Sequence, residues 1–272
     1  MPLLKSAQAR FLGLLAALWL GVFFITRSIL LLTHLSEAQL SPGGVLRLYG
    51  EGVIYDVSFL LYALAPLALY LLLCPGWLWR KRWHLRVLQV TMTIGVFLML
   101  FTAVAEWLFW DEFGVRFNFI AVDYLVYSDE VINNILESYP VYPLLAALTI
   151  IAVITTAALQ PRVRRIAAAP LLSWPQRGVS LAGAMTTIAL SIVIIGQNFP
   201  RSAGGNAYQH ELASNGPYQF FAAFRNNELD YTQFYPQLPE ATAANSLRDE
   251  VSEPNARFVD SEPMGIRRQI DN

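Results

Sequence analysis

Five apolar runs, each long enough to cross a bilayer, fix what this chain can become. A membrane-spanning helix needs about 20 largely apolar residues. The runs Phe11–Leu32, Val53–Leu73, Val87–Phe109, Tyr142–Leu159 and Val179–Ile195 come close to that length or exceed it. No water reaches the hydrocarbon, so the backbone must satisfy its own polar groups, which selects helix over open strand. The expected fold is an all-α integral membrane protein with five transmembrane helices, interfacial amphipathic helices and a C-terminal extended linker. Composition agrees: charged residues make up 14% of the 272, against about 25% in ordinary soluble domains. The first run is long, carries Arg27 and lacks a closely following small-residue cleavage site, so it reads as a retained span and not a signal peptide.

Charge is sorted along the chain. Lys5 and Arg10 precede the first span, Arg80, Lys81, Arg82 and Arg86 separate the second from the third, and Arg162, Arg164, Arg165 and Arg177 separate the fourth from the fifth. None of these segments holds an acid. The opposite side carries Glu37, Glu51, Asp111, Glu112, Asp123, Asp129, Glu130 and Glu137. The excess of Lys and Arg marks the cytoplasmic side, so the N-terminus is expected inside and the C-terminal tail outside. Trp77, Trp79 and Trp83 then fall at the inner interface, and Trp107 and Trp110 at the outer. With a net charge of −1, nothing suggests nucleic acid as a partner.

Arg27, Asp56 and Glu106 lie within the spans towards the outer leaflet. Charges at such positions face the bundle or a wet cavity and pair with one another. Arg27 with Asp56 or Glu106 is an available ion pair; the alternative is an outward polar pocket for an anionic lipid headgroup. Pro66 predicts a kink in the second span. Small residues at Ala16–Ala17, Ala146–Ala147 and Leu181–Ala184 are candidate sites of close helix packing.

Between the third and fourth spans, RFNFIAVDYLVYSDEVINNILESYP (Arg116 to Pro140) is too aromatic and apolar for a plain loop. Its second half reads as an amphipathic helix, with Ser128 as N-cap, acids in the first turn and Val131, Ile132, Ile135 and Leu136 on one side. The stretch is expected to cap the bundle at the membrane surface. The domain reading is a five-span region over 1–199, juxtamembrane helices over 200–238 and a flexible linker over 239–272. In the middle part, Pro200, Gly204 and Gly205 break the helix, and Asn206–Ala213 and Pro217–Glu228 form two short helices joined at Asn215–Gly216, with an aromatic face of Tyr218, Phe221, Ala222 and Phe224.

Chemistry is sparse. The one cysteine, Cys74, allows no intrachain disulfide and reads as a packed thiol or a palmitoylation site. His34, His84 and His210 lack ligand spacing, so no metal residues are assigned. There is no P-loop, GxGxxG, GxSxG or HExxH, and no catalytic residues are assigned.

The five-span layout, FNFIAVDYLVYSDEVINNILESYP and NAYQHELASNGPYQFFAAFRNNELDYTQFY together resemble the membrane part of bacterial lipoteichoic acid synthase-like proteins. These belong to the alkaline phosphatase/sulfatase superfamily of phosphoglycerol and phosphoethanolamine transferases. The resemblance runs from the first span to about Tyr235. It implies a bacterial cytoplasmic (inner) membrane location and a large catalytic domain on the outer side, whose nucleophile and divalent metal (manganese or zinc) have no counterpart before the sequence ends at IRRQIDN. It implies that this chain is a membrane-anchoring and lipid-engaging module of a phospholipid headgroup transferase, not catalytic by itself, with membrane phospholipids and a sulfatase-like catalytic domain as partners. Candidate headgroup-binding residues are Arg27, Asp56, Glu106, Arg116, Asn118 and Asp123, with Asn133 and Asn134 beside them. A stand-alone lipid sensor or scaffold and, more remotely, a transporter subunit are the competing readings.

Overall fold

A computed structural model of the chain describes residues 3–126, 128–195, 207–225, 240–259 and 265–270. It divides into two compact units, 1–227 and 228–272. The first is all helical. Short helices α2 (Leu35–Ala38) and α5 (Gly76–Trp79) precede α3 and α6; its long helices are α1 (Ala7–Thr33), α3 (Pro42–Ala63), α6 (Arg82–Phe113), α9 (Val141–Ala167) and α10 (Trp174–Ile194). Four of them, all but α3, are each long and apolar enough to span a membrane. A fifth span is formed if α3 and α4 (Ala65–Leu73) count as one bent segment, with an angle of 47° between them. The bend has a local cause. Pro66 has no N–H to return to Tyr62 O, and its ring crowds that turn. The helix stops at Leu64 and restarts with Pro66 in its first turn.

Helix starts follow from short side chains. Ser6 Oγ accepts from Ala9 N at 3.2 Å and opens α1. Ser41 Oγ accepts from Gly44 N at 3.1 Å and opens α3, with Pro42 in its first turn. At the start of α10 the Ser173 N–H donates to Gln176 Oε1 at 3.0 Å. These caps satisfy backbone donors that an open helix end leaves unpaired. Gly114 ends α6 with a φ of 66°, a conformation that suits glycine.

The core runs along α1. Phe11, Leu15, Trp19 and Phe23 recur every fourth residue and are buried against Tyr55 and Phe59 of α3, Leu88, Met92, Val96 and Met99 of α6, and Ala152 of α9. Trp19 stacks on Phe59 at 5.5 Å between ring centroids. A β-carbon at Gly95 would sit 3.0 Å from Leu15 Cδ1, so this glycine lets α1 and α6 approach closely. Thr93 Oγ1 donates to Thr156 Oγ1 at 3.1 Å between α6 and α9. The expected small-residue stripes are met in part, since Ala16 packs against the core. Ala17, Ala146, Ala147, Ala182 and Gly183 are exposed, and the close approach falls at Gly95 and the buried Ala152 instead. Trp79 and Trp110 are core residues and not belt residues, at 4% and 1% exposure, while Trp77, Trp83 and Trp107 are exposed.

Between α6 and α9 lie α7 (Phe119–Val126) and α8 (Ser128–Ser138). After α10 come α11 (Ala207–Ala213) and α12 (Gly216–Arg225). The break expected at Pro200, Gly204 and Gly205 lies outside the described residues, as does Glu228. The same holds for the side chain of the proposed cap Ser128.

The second unit corrects the expectation of an extended linker over 239–272. It contains α13 (Glu240–Glu250) and an antiparallel pair, β1 (Ala256–Phe258) with β2 (Arg268–Ile270), in which Arg257 faces Gln269. The sequence EATAANSLRDE is polar but rich in good helix formers. Polarity alone had suggested a linker; propensity carries the helix. Arg248 of α13 lies over the Phe258 ring at 5.4 Å.

Candidate functional site

Two features stand out in the first unit: a clamp of buried charges, and a cavity beside it. The clamp lies at the acidic end of the spans. Arg27 on α1 forms a bidentate pair with Asp56 on α3, with both N···O distances 2.8 Å. Arg116, just past the end of α6, pairs with Glu106 on α6. All four are at most 2% exposed. Burying a charge is costly unless its partner and its remaining hydrogen bonds are supplied. Here they come from the short connection between α11 and α12.

Arg27 Nε donates to Leu212 O at 3.1 Å and Nη2 to Ser214 O at 3.2 Å. Arg116 Nη2 donates to Leu212 O at 3.1 Å and Nε to Glu211 O at 2.9 Å. The two arginines therefore cap the carbonyls at the C-terminus of α11. The carboxylates serve the next helix. Asp56 Oδ1 accepts from Asn215 Nδ2 at 2.8 Å, and Glu106 Oε1 accepts from Gly216 N at 3.1 Å. Asn215 Oδ1 in turn accepts from Tyr218 N at 2.9 Å and caps α12. Cations at a helix C-terminus and anions at an N-terminus match the helix dipoles. The break at Ser214–Asn215 thus sits between two ion pairs whose polarity suits both helix ends.

Two glycines make room for the clamp. A β-carbon on Gly52 would collide with the Arg27 guanidinium, and one on Gly216 with the Glu106 carboxylate. Under α11, Trp110 packs with Leu30, Leu31, Leu48, Leu212 and Ala213, and its Nε1 donates to His34 Nε2 at 3.4 Å.

The cavity, of about 1560 Å³, is walled by α1, α3, α4, α6, α7, α8, α9 and α12. That exceeds the roughly 300–1,000 Å³ of ordinary small-ligand sites. Along α6 its lining runs from Thr91 to Phe113, roughly 30 Å at about 1.5 Å per residue. Ile94, Leu98 and Phe101 line it and are among the exposed apolar side chains. Its charged residues gather at the acidic end. Glu112 closes α6, and Glu130, Asn134 and Ser138 form a stripe at four-residue spacing along α8. Arg225, at the end of α12, is its one cationic side chain among the described residues. Glu112, Glu130 and Arg225 have no ion-pair partner among the described residues. Tyr218 of α12 is also in the lining. Burial and then the neighbouring Tyr62 push its phenol above the ordinary value, so it remains a donor, to Ile195 O at 2.7 Å.

None of the six residues assigned to headgroup binding lines this cavity. Arg27, Asp56, Glu106 and Arg116 converge, but on each other and on 211–216. Asn118 Oδ1 accepts from Ile120 N at 2.9 Å and caps α7. Asp123 is exposed on α7. The residues that sequence reasoning missed are Glu112, Glu130, Ser138 and Arg225. The spacing of 130, 134 and 138 was the available signal. Among the described residues, no three His, Cys, Asp or Glu side chains converge to hold a metal ion. Cys74 is buried, with Sγ 3.5 Å from His84 Nε2.

No family model, curated protein or solved structure matches this chain.

Proposed function

We propose that this chain is the lipid-engaging membrane module of a phospholipid headgroup transferase of a bacterial cytoplasmic membrane, with its acidic end at the outer surface. The observation that carries the lipid part of this reading is the long cavity, lined by apolar side chains along α6 and α9 and by charged ones at one end. An amphiphile entering from the bilayer finds that same order of surroundings. Its chains lie against Leu98, Phe101, Leu145 and Leu148. Its headgroup reaches Glu112, Glu130, Asn134, Ser138 and Arg225, where a guanidinium offers charge and hydrogen bonds to a phosphate. The transfer chemistry belongs to a sulfatase-like domain outside this chain, as the family resemblance implies. The module anchors that domain and presents its substrate at headgroup height. Sorting of Lys and Arg to the opposite end supports the orientation.

The test is lipid retention. The chain is purified from native membranes in mild detergent, and bound phospholipid is extracted and weighed against protein. Wild type retains phospholipid through detergent exchange, and Leu98→Trp, which fills the cavity, loses it. Equal retention by both would remove the cavity from the account. Reaction with a glycerol- or amine-bearing phospholipid donor is measured on the chain joined to the sulfatase-like domain. Transfer unaffected by Leu98→Trp would detach the cavity from the enzyme.

A further inference from the structure

We infer that Arg27, Asp56, Glu106 and Arg116 are positioning residues for the lipid cavity: they touch no lipid, and they set the register of the helix that forms one of its walls. The inference rests on the lipid reading above. The geometry runs through α12. Five clamp bonds end on Leu212 and Ser214 carbonyls, the Asn215 amide and the Gly216 N–H. The residues immediately following, Pro217, Tyr218, Phe220, Phe221 and Ala222, are cavity wall. No residue intervenes in which an error of register could be absorbed.

The two faces of α6 tell the same story. Ala105, Leu108, Phe109 and Glu112 face the cavity. Glu106 and Trp110, one turn apart, face the clamp and the cluster beneath α11. The same helix therefore holds both the lipid's wall and the ruler that places the opposite wall. The opposite wall is then pinned by rings: Phe221 lies on Phe59 at 6.4 Å, Phe220 meets Phe117 at 6.3 Å, and Tyr218 meets Tyr55 at 5.3 Å. These contacts are apolar and tolerate sliding. Buried charge pairs are less forgiving, since a misplaced partner leaves a charge unpaired, and their best-attested use is to fix register.

The experiment measures phospholipid retained per protein in the full chain. Arg116→Gln is expected to lower retention tenfold or more. Arg177→Gln, an equally buried arginine at the other end of the bundle, is expected to leave it within twofold. Gly216→Ala drives a methyl group into the Glu106 carboxylate and is expected to cost tenfold. Adding Glu106→Asp, which shortens that side chain by one methylene, recovers retention to within threefold. Melting temperature in detergent is read alongside: retention that falls only in step with stability across the series, Arg177→Gln included, marks a purely structural role. That result would overturn the inference, as would a folded Arg116→Gln protein with wild-type retention while Leu98→Trp has lost its lipid. Should Leu98→Trp keep its lipid, the cavity reading fails first and the inference falls with it. Should Arg116→Gln fail to fold, the Gly216 pair decides.

Discussion

The two ends of the bundle bury arginine in different ways. At the basic end Arg177 stands without a carboxylate among the described residues. Its Nε donates to Leu172 O at 2.9 Å, and its Nη1 to Leu72 O at 2.9 Å and Cys74 O at 2.7 Å. It also lies over the Trp174 ring at 4.5 Å. It caps carbonyls left open where α4 ends. At the acidic end Arg27 and Arg116 do the same for α11, but each brings a carboxylate, and the carboxylates go on to hold the start of α12. One end needs only to close a helix. The other has to join two helices at a defined break. The difference teaches that the carboxylates serve the second helix, because carbonyls alone already suffice to bury a guanidinium.

That comparison can be broken. Removing Glu106 as Glu106→Ala leaves Arg116 buried without its counter-ion, and such losses cost about 3–5 kcal/mol. We expect the largest fall in melting temperature in detergent from this variant. Replacing the other pair together, as Arg27→Met with Asp56→Leu, removes both charges. An isolated buried pair often tolerates that change. Here Leu212 O, Ser214 O and Asn215 Nδ2 also lose partners, so a loss of at least about 2 kcal/mol is expected. A neutral outcome would mean the pair serves itself and not the connection. Arg177→Ala should cost about 1–3 kcal/mol through carbonyls left unpaired, with α12 undisturbed as read by protease resistance of the α11–α12 segment. If Arg177→Ala matched Glu106→Ala in cost and also loosened that segment, the contrast between the ends would collapse. Thr93→Val, at mid-bundle, removes one neutral hydrogen bond and should shift stability by about 0.5–1.5 kcal/mol, setting the floor of the series.

Much of the helical layout was legible because span length and hydropathy are local properties. The kink was legible too, since Pro66 imposes it through its own ring. Charges inside spans were readable as a problem: Arg27 had an available partner in Asp56. Two acids facing one base left Glu106 unmatched. Its partner, Arg116, sits after the turn at Gly114, where sequence reasoning assigned it to a ligand instead. The docking of 211–216 could not be read, because its bonds are made by backbone groups, and every residue has those. Only Gly216 and Gly52 hint at it, as positions where a side chain has no room. The stripe of Glu130, Asn134 and Ser138 was written in the spacing but masked by the stronger apolar side beside it. The helix at Glu240–Glu250 was hidden by polarity, which reports solubility and not conformation.

The clamp also has a place in time. Arg27, Asp56, Glu106 and Arg116 are all synthesised before 211–216, which complete their bonding. About 100 residues separate Arg116 from that connection, and at about 5–20 residues per second the delay is roughly 5–20 s. Throughout it the growing chain holds charged groups whose final partners have not been made. The membrane region therefore matures from its far end: the last helices to emerge close bonds opened by the first, and a ribosome that stalls before residue 211 leaves a bundle still in want of its keystone.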